Sequence, residues 1–147
     1  MKKIIILLAF MVNICAFADD GTSMQPIIEK CETLTEYVEG ELDQEIVRIE
    51  MDILTNSKQT IRSLSDGYTY QIIAFGDYRF KDIDVEVYRK SGGNWVLEEK
   101  DNDESEVAIV SVSPSYKQDY KIVIKAYQFN KGYSAGHYGL IICHEKD

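Results

Sequence analysis

Acidic residues crowd one stretch of the chain, Lys81 to Ser105, which reads KDIDVEVYRKSGGNWVLEEKDNDES. Asp82, Asp84 and Glu86 stand two residues apart, and Asp101, Asp103 and Glu104 follow a glycine turn. Carboxylates at that density suit a hard cation, because calcium takes six to eight oxygen ligands. DNDES imitates the start of an EF-hand loop, but Glu106 stands where that loop needs glycine and Val112 where it needs glutamate, so an EF-hand is excluded. A site built between strands is different. With Ile83, Val85 and Val87 facing a core, Asp82, Asp84 and Glu86 share the opposite face, roughly 7 Å apart along the strand. A hairpin through SGGN would return Asp101 and Asp103 beside Asp82 and Asp84. Two readings follow. The group is a solvated charged edge, partly balanced by Lys81, Arg89, Lys90 and Lys100; or Asp82, Asp84, Asp101 and Asp103 hold calcium, which relieves their mutual repulsion.

Other chemistry is sparse. His137 and His144 are the only histidines, and within one strand they fall on opposite faces, so they cannot share a metal ion. No nucleophile elbow, His-Glu-x-x-His motif or phosphate-cradling glycine loop is present, and the expectation is a protein that is not an enzyme. Ten tyrosines and the single tryptophan, Trp95, offer binding surface instead. Tyr88 and Trp95, on polar faces or beside turns, are the candidate ligand contacts, since exposed rings stack on sugars or cover a peptide.

The elements that position these residues are mostly strands. Ile27, Ile28, Cys31, Leu34, Tyr37 and Val38 recur at helical spacing between Pro26 and Gly40, which predicts one amphipathic helix from Pro26 to Glu39. From Gln44 the period becomes two: Val47, Ile49, Met51 and Ile53 alternate with charged residues as a half-buried strand. YTYQIIAFGD is apolar on both faces, Val107 to Val112 forms a further strand, and two more close the chain around Tyr120 to Phe129 and Tyr138 to Cys143. Eight strands with turns every few residues give an all-β protein, an eight-stranded antiparallel sandwich or barrel with one N-terminal amphipathic helix. A membrane barrel is rejected, because strands such as VRIEMD and DYKIVIK carry charge at alternate positions.

Residues 1–18, MKKIIILLAFMVNICAFA, have a basic start, a short apolar run and small residues at Ala16 and Ala18, the pattern of a secretory signal peptide cleaved near Ala18. A lipid anchor on Cys15 fits less well, for want of the Leu and small residues that precede a lipidated cysteine. Residues 19–43 would then be leader and helix and 44–147 the sandwich, in a periplasmic or extracellular protein with no membrane span. Lys and Arg number 16 against 25 Asp and Glu, a net charge of -9, and loss of Lys2 and Lys3 makes it more negative. Such a surface excludes nucleic acid as a partner. In an exported chain the remaining cysteines, Cys31 and Cys143, read first as a disulfide that would staple helix to last strand, worth roughly 4 to 5 kcal/mol by loop closure; two buried thiols are the alternative.

The succession LSDGYTYQIIAFGD, DIDVEVYRKSGGNWVLEEKDNDES, VSVSP, DYKIVIKAY and GYSAGHYGLII resembles the bacterial pre-peptidase C-terminal domain, over roughly residues 45–142. The resemblance implies a jelly-roll-like β-sandwich that serves secreted enzymes as a non-catalytic module; its relatives, the collagen-binding domains of clostridial collagenases, bind calcium and extended protein ligands. On this reading the module is expected to stand without a peptidase beside it. The resulting expectation is a secreted or periplasmic binding module for a protein or polysaccharide, with calcium as candidate cofactor, or alternatively a structural or assembly component of the cell envelope.

Overall fold

The computed structural model describes residues 23–146, so the expected signal peptide lies outside the described residues. One helix, α1 (Gln25–Glu36), runs into a single wider π turn (Tyr37–Glu41), and eight strands follow: β1 (Gln44–Leu54), β2 (Ser57–Leu64), β3 (Tyr70–Gly76), β4 (Phe80–Ser91), β5 (Asn94–Asp101), β6 (Val107–Val112), β7 (Gln118–Phe129) and β8 (Gly136–Glu145). The strands form two four-stranded sheets, β1-β8-β3-β6 and β2-β7-β4-β5, with every pairing antiparallel. This is the expected sandwich with its helix.

Between the sheets lies the main core: Ile72, Ala74, Tyr138, Leu140 and Ile142 of the first sheet meet Ile83, Val85, Val87, Tyr120, Ile122 and Ile124 of the second. A second apolar cluster forms on the outside of the first sheet, where Ile27, Cys31 and Val38 cover Ile73, Phe75, Ile141 and Cys143. β3 and β8 therefore bury both faces, which is why YQIIAFG and YGLIIC carry apolar residues on both faces. Gly139 belongs to this packing, since a Cβ there would lie 2.1 Å from the Phe75 ring. α1 begins with Pro26 in its first turn, where the missing N–H goes unused.

Three expectations change. The helix is shorter than expected, giving way after Glu36 to the π turn that carries the chain to β1. β1 forms where a strand is expected, but Ile49, Met51 and Ile53 face outward and remain exposed. The other face of β1 carries Glu50, neutralised by Arg48 at 2.5 Å and by Arg62 of β2 at 2.7 Å across the open rim of the sandwich. Burial would raise Glu50, but hydrogen bonds from Arg62 and Arg48 outweigh it and hold the carboxyl below its ordinary value. Finally, the expected Cys31–Cys143 bond is not formed: both are free, buried thiols in one cluster. The Cys143 Sγ donates to Gln44 Oε1 at 3.0 Å, and burial pushes this thiol up to about 11.

Candidate functional site

The outer face of the second sheet carries the candidates. Gly92 and Gly93, both with positive φ (59° and 86°), close the tight β4–β5 hairpin, a conformation that side chains resist. Antiparallel register then sets rows across the sheet: Tyr88 opposite Lys121 of β7 and Leu97 of β5, Glu86 opposite Val123 and Lys100, Asp84 opposite Lys125, and Lys90 opposite Trp95. A bulge at Val87/Tyr88 shifts β5 by one residue and brings Trp95 toward Tyr88.

The structure brings the two predicted ligand contacts together. The Lys121 ammonium lies 4.4 Å from the Tyr88 ring centroid and 5.4 Å from that of Trp95, while Lys90 lies 5.2 Å from the Trp95 ring. The Tyr88 hydroxyl donates to Glu86 Oε2 at 2.5 Å, and Lys125 donates to Glu86 Oε1 at 2.5 Å. Burial alone would raise Glu86, but these hydrogen bonds, Lys125 first, hold its carboxyl below the ordinary value. That bond to Glu86 also fixes the Tyr88 ring. The product is a strip of two aromatic rings with ammonium groups set between and beside them.

The carboxylates divide. Asp82 and Asp84, expected on a solvated edge, are only 4% and 8% exposed. Asp82 sits in a bulge of β4 and accepts the Ser105 backbone N–H at 3.3 Å, while Ile83 donates to the Ser105 carbonyl at 2.8 Å, so the acidic loop folds over this strand. Asp101 pairs with Val85 and spends both oxygens on backbone: Oδ1 accepts from Asp103 at 3.1 Å and Oδ2 from Ile109 at 2.8 Å. Asp103 is exposed. Of the four predicted metal ligands, Asp84 is the one that keeps a buried oxygen, Oδ1, without a hydrogen-bond partner among the described residues. Burial first and the Asp82 carboxylate second push Asp84 above its ordinary value, against the pull of Lys125. Calcium requires six or more oxygens, and among the described residues no three Asp, Glu, His or Cys side chains are placed together to hold a metal. Asp84 supplies one uncommitted oxygen; carbonyls and water would have to supply most of the rest.

His137 and His144 do lie on opposite faces of β8. His144 stacks with Tyr68, ring centroids 4.2 Å apart. His137 belongs to a buried cluster that sequence reading missed: Asp77 and Arg79, each 1% exposed, pair side by side, and Arg79 Nη2 reaches His137 Nδ1 at 2.7 Å. Asp77 also accepts the backbone N–H groups of Arg79 and His137 at 3.0 and 2.9 Å, and Arg79 donates to the Ser23 carbonyl at 3.3 Å beside the start of α1. These bonds tie the turn after β3 to the start of β8 and to the residue before α1, so the cluster acts as a clamp. Its signal was the tripeptide Asp77-Tyr78-Arg79 after Gly76, charges that flank a strand end.

Beside α1, a groove of about 400 Å³ runs along β1, lined by Ile28, Cys31, Glu32, Thr35, Ile49 and Met51. No helix among the described residues is long and apolar enough to cross a membrane.

No family model and no curated protein matches the chain. Among solved structures it is similar to the pre-peptidase C-terminal domain of a collagenase from Bacillus anthracis (TM-score 0.49, 10% identity, 65% of this chain and 87% of that one). It is also similar to the Yersinia pseudotuberculosis-derived mitogen (TM-score 0.48, 12% identity, 70% and 87%) and to a periplasmic inhibitor of g-type lysozyme from Aeromonas hydrophila (TM-score 0.46, 7% identity, 69% and 86%). The expected resemblance to the pre-peptidase C-terminal domain is thus present as a likeness of structure alone.

Proposed function

We propose that this chain is an exported, non-enzymatic binding module whose ligand surface is the outer face of β2-β7-β4-β5, and that it engages an extended polymer through Tyr88 and Trp95. The observation that supports this reading most directly is the convergence of Tyr88 and Trp95 on one ammonium, on a part of the sheet face that leaves both rings partly exposed among the described residues. Flat rings on a pleated face match the repeat of an extended chain, and rings held in place lose little entropy on binding. The test is isothermal titration against a panel of polysaccharides and extended peptides, with Trp95→Ala and Tyr88→Ala as controls. Binding that both substitutions remove, with melting temperature retained, is the expected result; affinity untouched by either would refute it.

Calcium enters the same reading at Asp84, whose raised carboxylate a cation would relieve. Support comes from its unpartnered Oδ1 beside Asp82 and Asp101. Calcium should raise the melting temperature of the native chain and leave Asp84→Asn unmoved; coincident curves for the native chain in calcium and in chelator would remove the ion from the account.

The groove along α1 favours a second reading, a structural or assembly component that docks through the helix. It expects oligomers in light scattering that Ile49→Asp and Met51→Asp dissolve, and a monomer throughout would dispose of it.

A further inference from the structure

Resting on the binding face proposed above, we infer that the polymer is an acidic polysaccharide, its sugar rings lying on Trp95 and Tyr88 and its carboxylates meeting Lys121 and Lys90. The whole molecule is acidic, and most cations near this face are already committed: Lys81 to Glu104, Arg89 to Glu98 and Lys125 to Glu86. Lys121 and Lys90 differ. Neither takes part in an ion pair among the described residues, and both ammonium groups lie within 5.4 Å of a ring centroid of the strip.

That placement decides the ligand class. A neutral glycan would stack on open ring faces, whereas here an ammonium lies against the rings and would have to give up hydration with nothing to replace it. A carboxylate on the sugar supplies the replacement, and a charge-assisted bond from each lysine fixes its register along the strip. The row opposite strengthens the choice: Lys100 sits beside Glu86, while Ile61 and Leu97, half-exposed at either side of Lys121 and Tyr88, offer apolar edges for ring C–H groups. Asp119, one residue before Tyr120 on β7, is the acidic neighbour at this end, and it leaves both lysines unpaired. An acidic peptide could meet the charges, but its side chains lack the repeating sugar rings that two neighbouring aromatics can pack against.

The experiment uses the full chain in chelator, with polygalacturonate as probe and its fully methyl-esterified form as the uncharged counterpart on the same backbone. Trp95, the only tryptophan, reports occupancy through its fluorescence. Polygalacturonate should bind at least tenfold more tightly than the ester, roughly the size of one charge-assisted hydrogen bond. The preference should shrink with added salt. Lys121→Gln and Lys90→Gln, which sit on the surface and should leave melting unchanged, should each reduce the preference several-fold, and the double variant should bind acid and ester alike. Equal affinity of the native chain for acid and ester would overturn the acidic class while leaving the binding face standing. Binding of polyglutamate as tightly as polygalacturonate would overturn the saccharide. No change of Trp95 fluorescence with any polymer would sink both this inference and the reading it rests on.

Discussion

The two outer faces of the sandwich solve opposite problems. On β1-β8-β3-β6 the outward residues Ile73, Phe75 and Ile141 are apolar, and Ile27 and Cys31 of α1 bury them together with Val38 of the π turn. On β2-β7-β4-β5 the acidic loop covers Asp82 and Asp84, and beyond them the outward residues Glu86, Tyr88, Trp95, Lys121 and Lys125 form charge pairs and cation–ring contacts that stay partly exposed among the described residues. One face has spent its surface on stability. The other has kept rigid rings and unpaired ammonium groups for something outside the chain, and that difference assigns binding to the second sheet.

The comparison can be broken first at the clamp that fixes the covered face. Arg79→Met leaves the Asp77 carboxylate buried without its partner, and loss of one member of such a pair should cost about 3 to 5 kcal/mol, read as a fall in denaturant midpoint. Burial would raise Asp77, yet hydrogen bonds from Arg79 hold it below the ordinary 3.8. A lowered carboxylate contributes stability above its unfolded value and loses it as pH falls through the folded one. The Asp77 contribution to the native chain's stability should therefore be full at neutral pH and be lost as pH falls through about 4 and below. Without Arg79 the sign reverses: Asp77 is raised, the penalty grows as pH rises through its new value, and the Arg79→Met deficit should narrow on acidification. A deficit constant with pH would show that Asp77 is not its source.

Ile27→Ala comes next. It removes a fully buried side chain from beneath the helix and should cost about 2 to 4 kcal/mol, while titration of the polymer on the second sheet stays unchanged. A parallel loss of binding would mean that the two faces are coupled. Asp84→Asn reverses the direction: in chelator it removes a buried charge that burial and Asp82 disfavour, and it should raise stability by up to about 1 kcal/mol. Smallest is the effect of Trp95→Ala or Lys121→Gln on melting, within about 1 kcal/mol for partly exposed positions. Large losses there would make the strip structural.

Period was legible in the sequence; the face was legible only in part. Ile83, Val85 and Val87 were read as inward and are fully buried, and the histidines were read onto opposite faces of β8, where they lie. β1 was misread because alternation gives a period without saying which side holds the core, and a helix can make the outside of a sheet apolar as well. Glu50 can face the rim because Arg62, on a strand of the other sheet, neutralises it. Burial of Asp82 depends on the loop to Ser105 closing over it, and Lys121 meets Tyr88 only through the β4–β7 register. No local pattern contains those pairings. Of the candidate site, then, Tyr88 and Trp95 could be found from residue type, whereas the lysines that give them meaning could not.

The central claim is that ligand lands on the Tyr88–Trp95 strip, and the most direct measurement is the fluorescence of Trp95 during titration with extended polymers. A saturable change with bound polymer, abolished in Tyr88→Ala and preserved in Ile27→Ala, is the outcome this account predicts. Saturable binding seen by calorimetry while Trp95 emission stays constant would contradict it, and would move the binding surface elsewhere on the molecule.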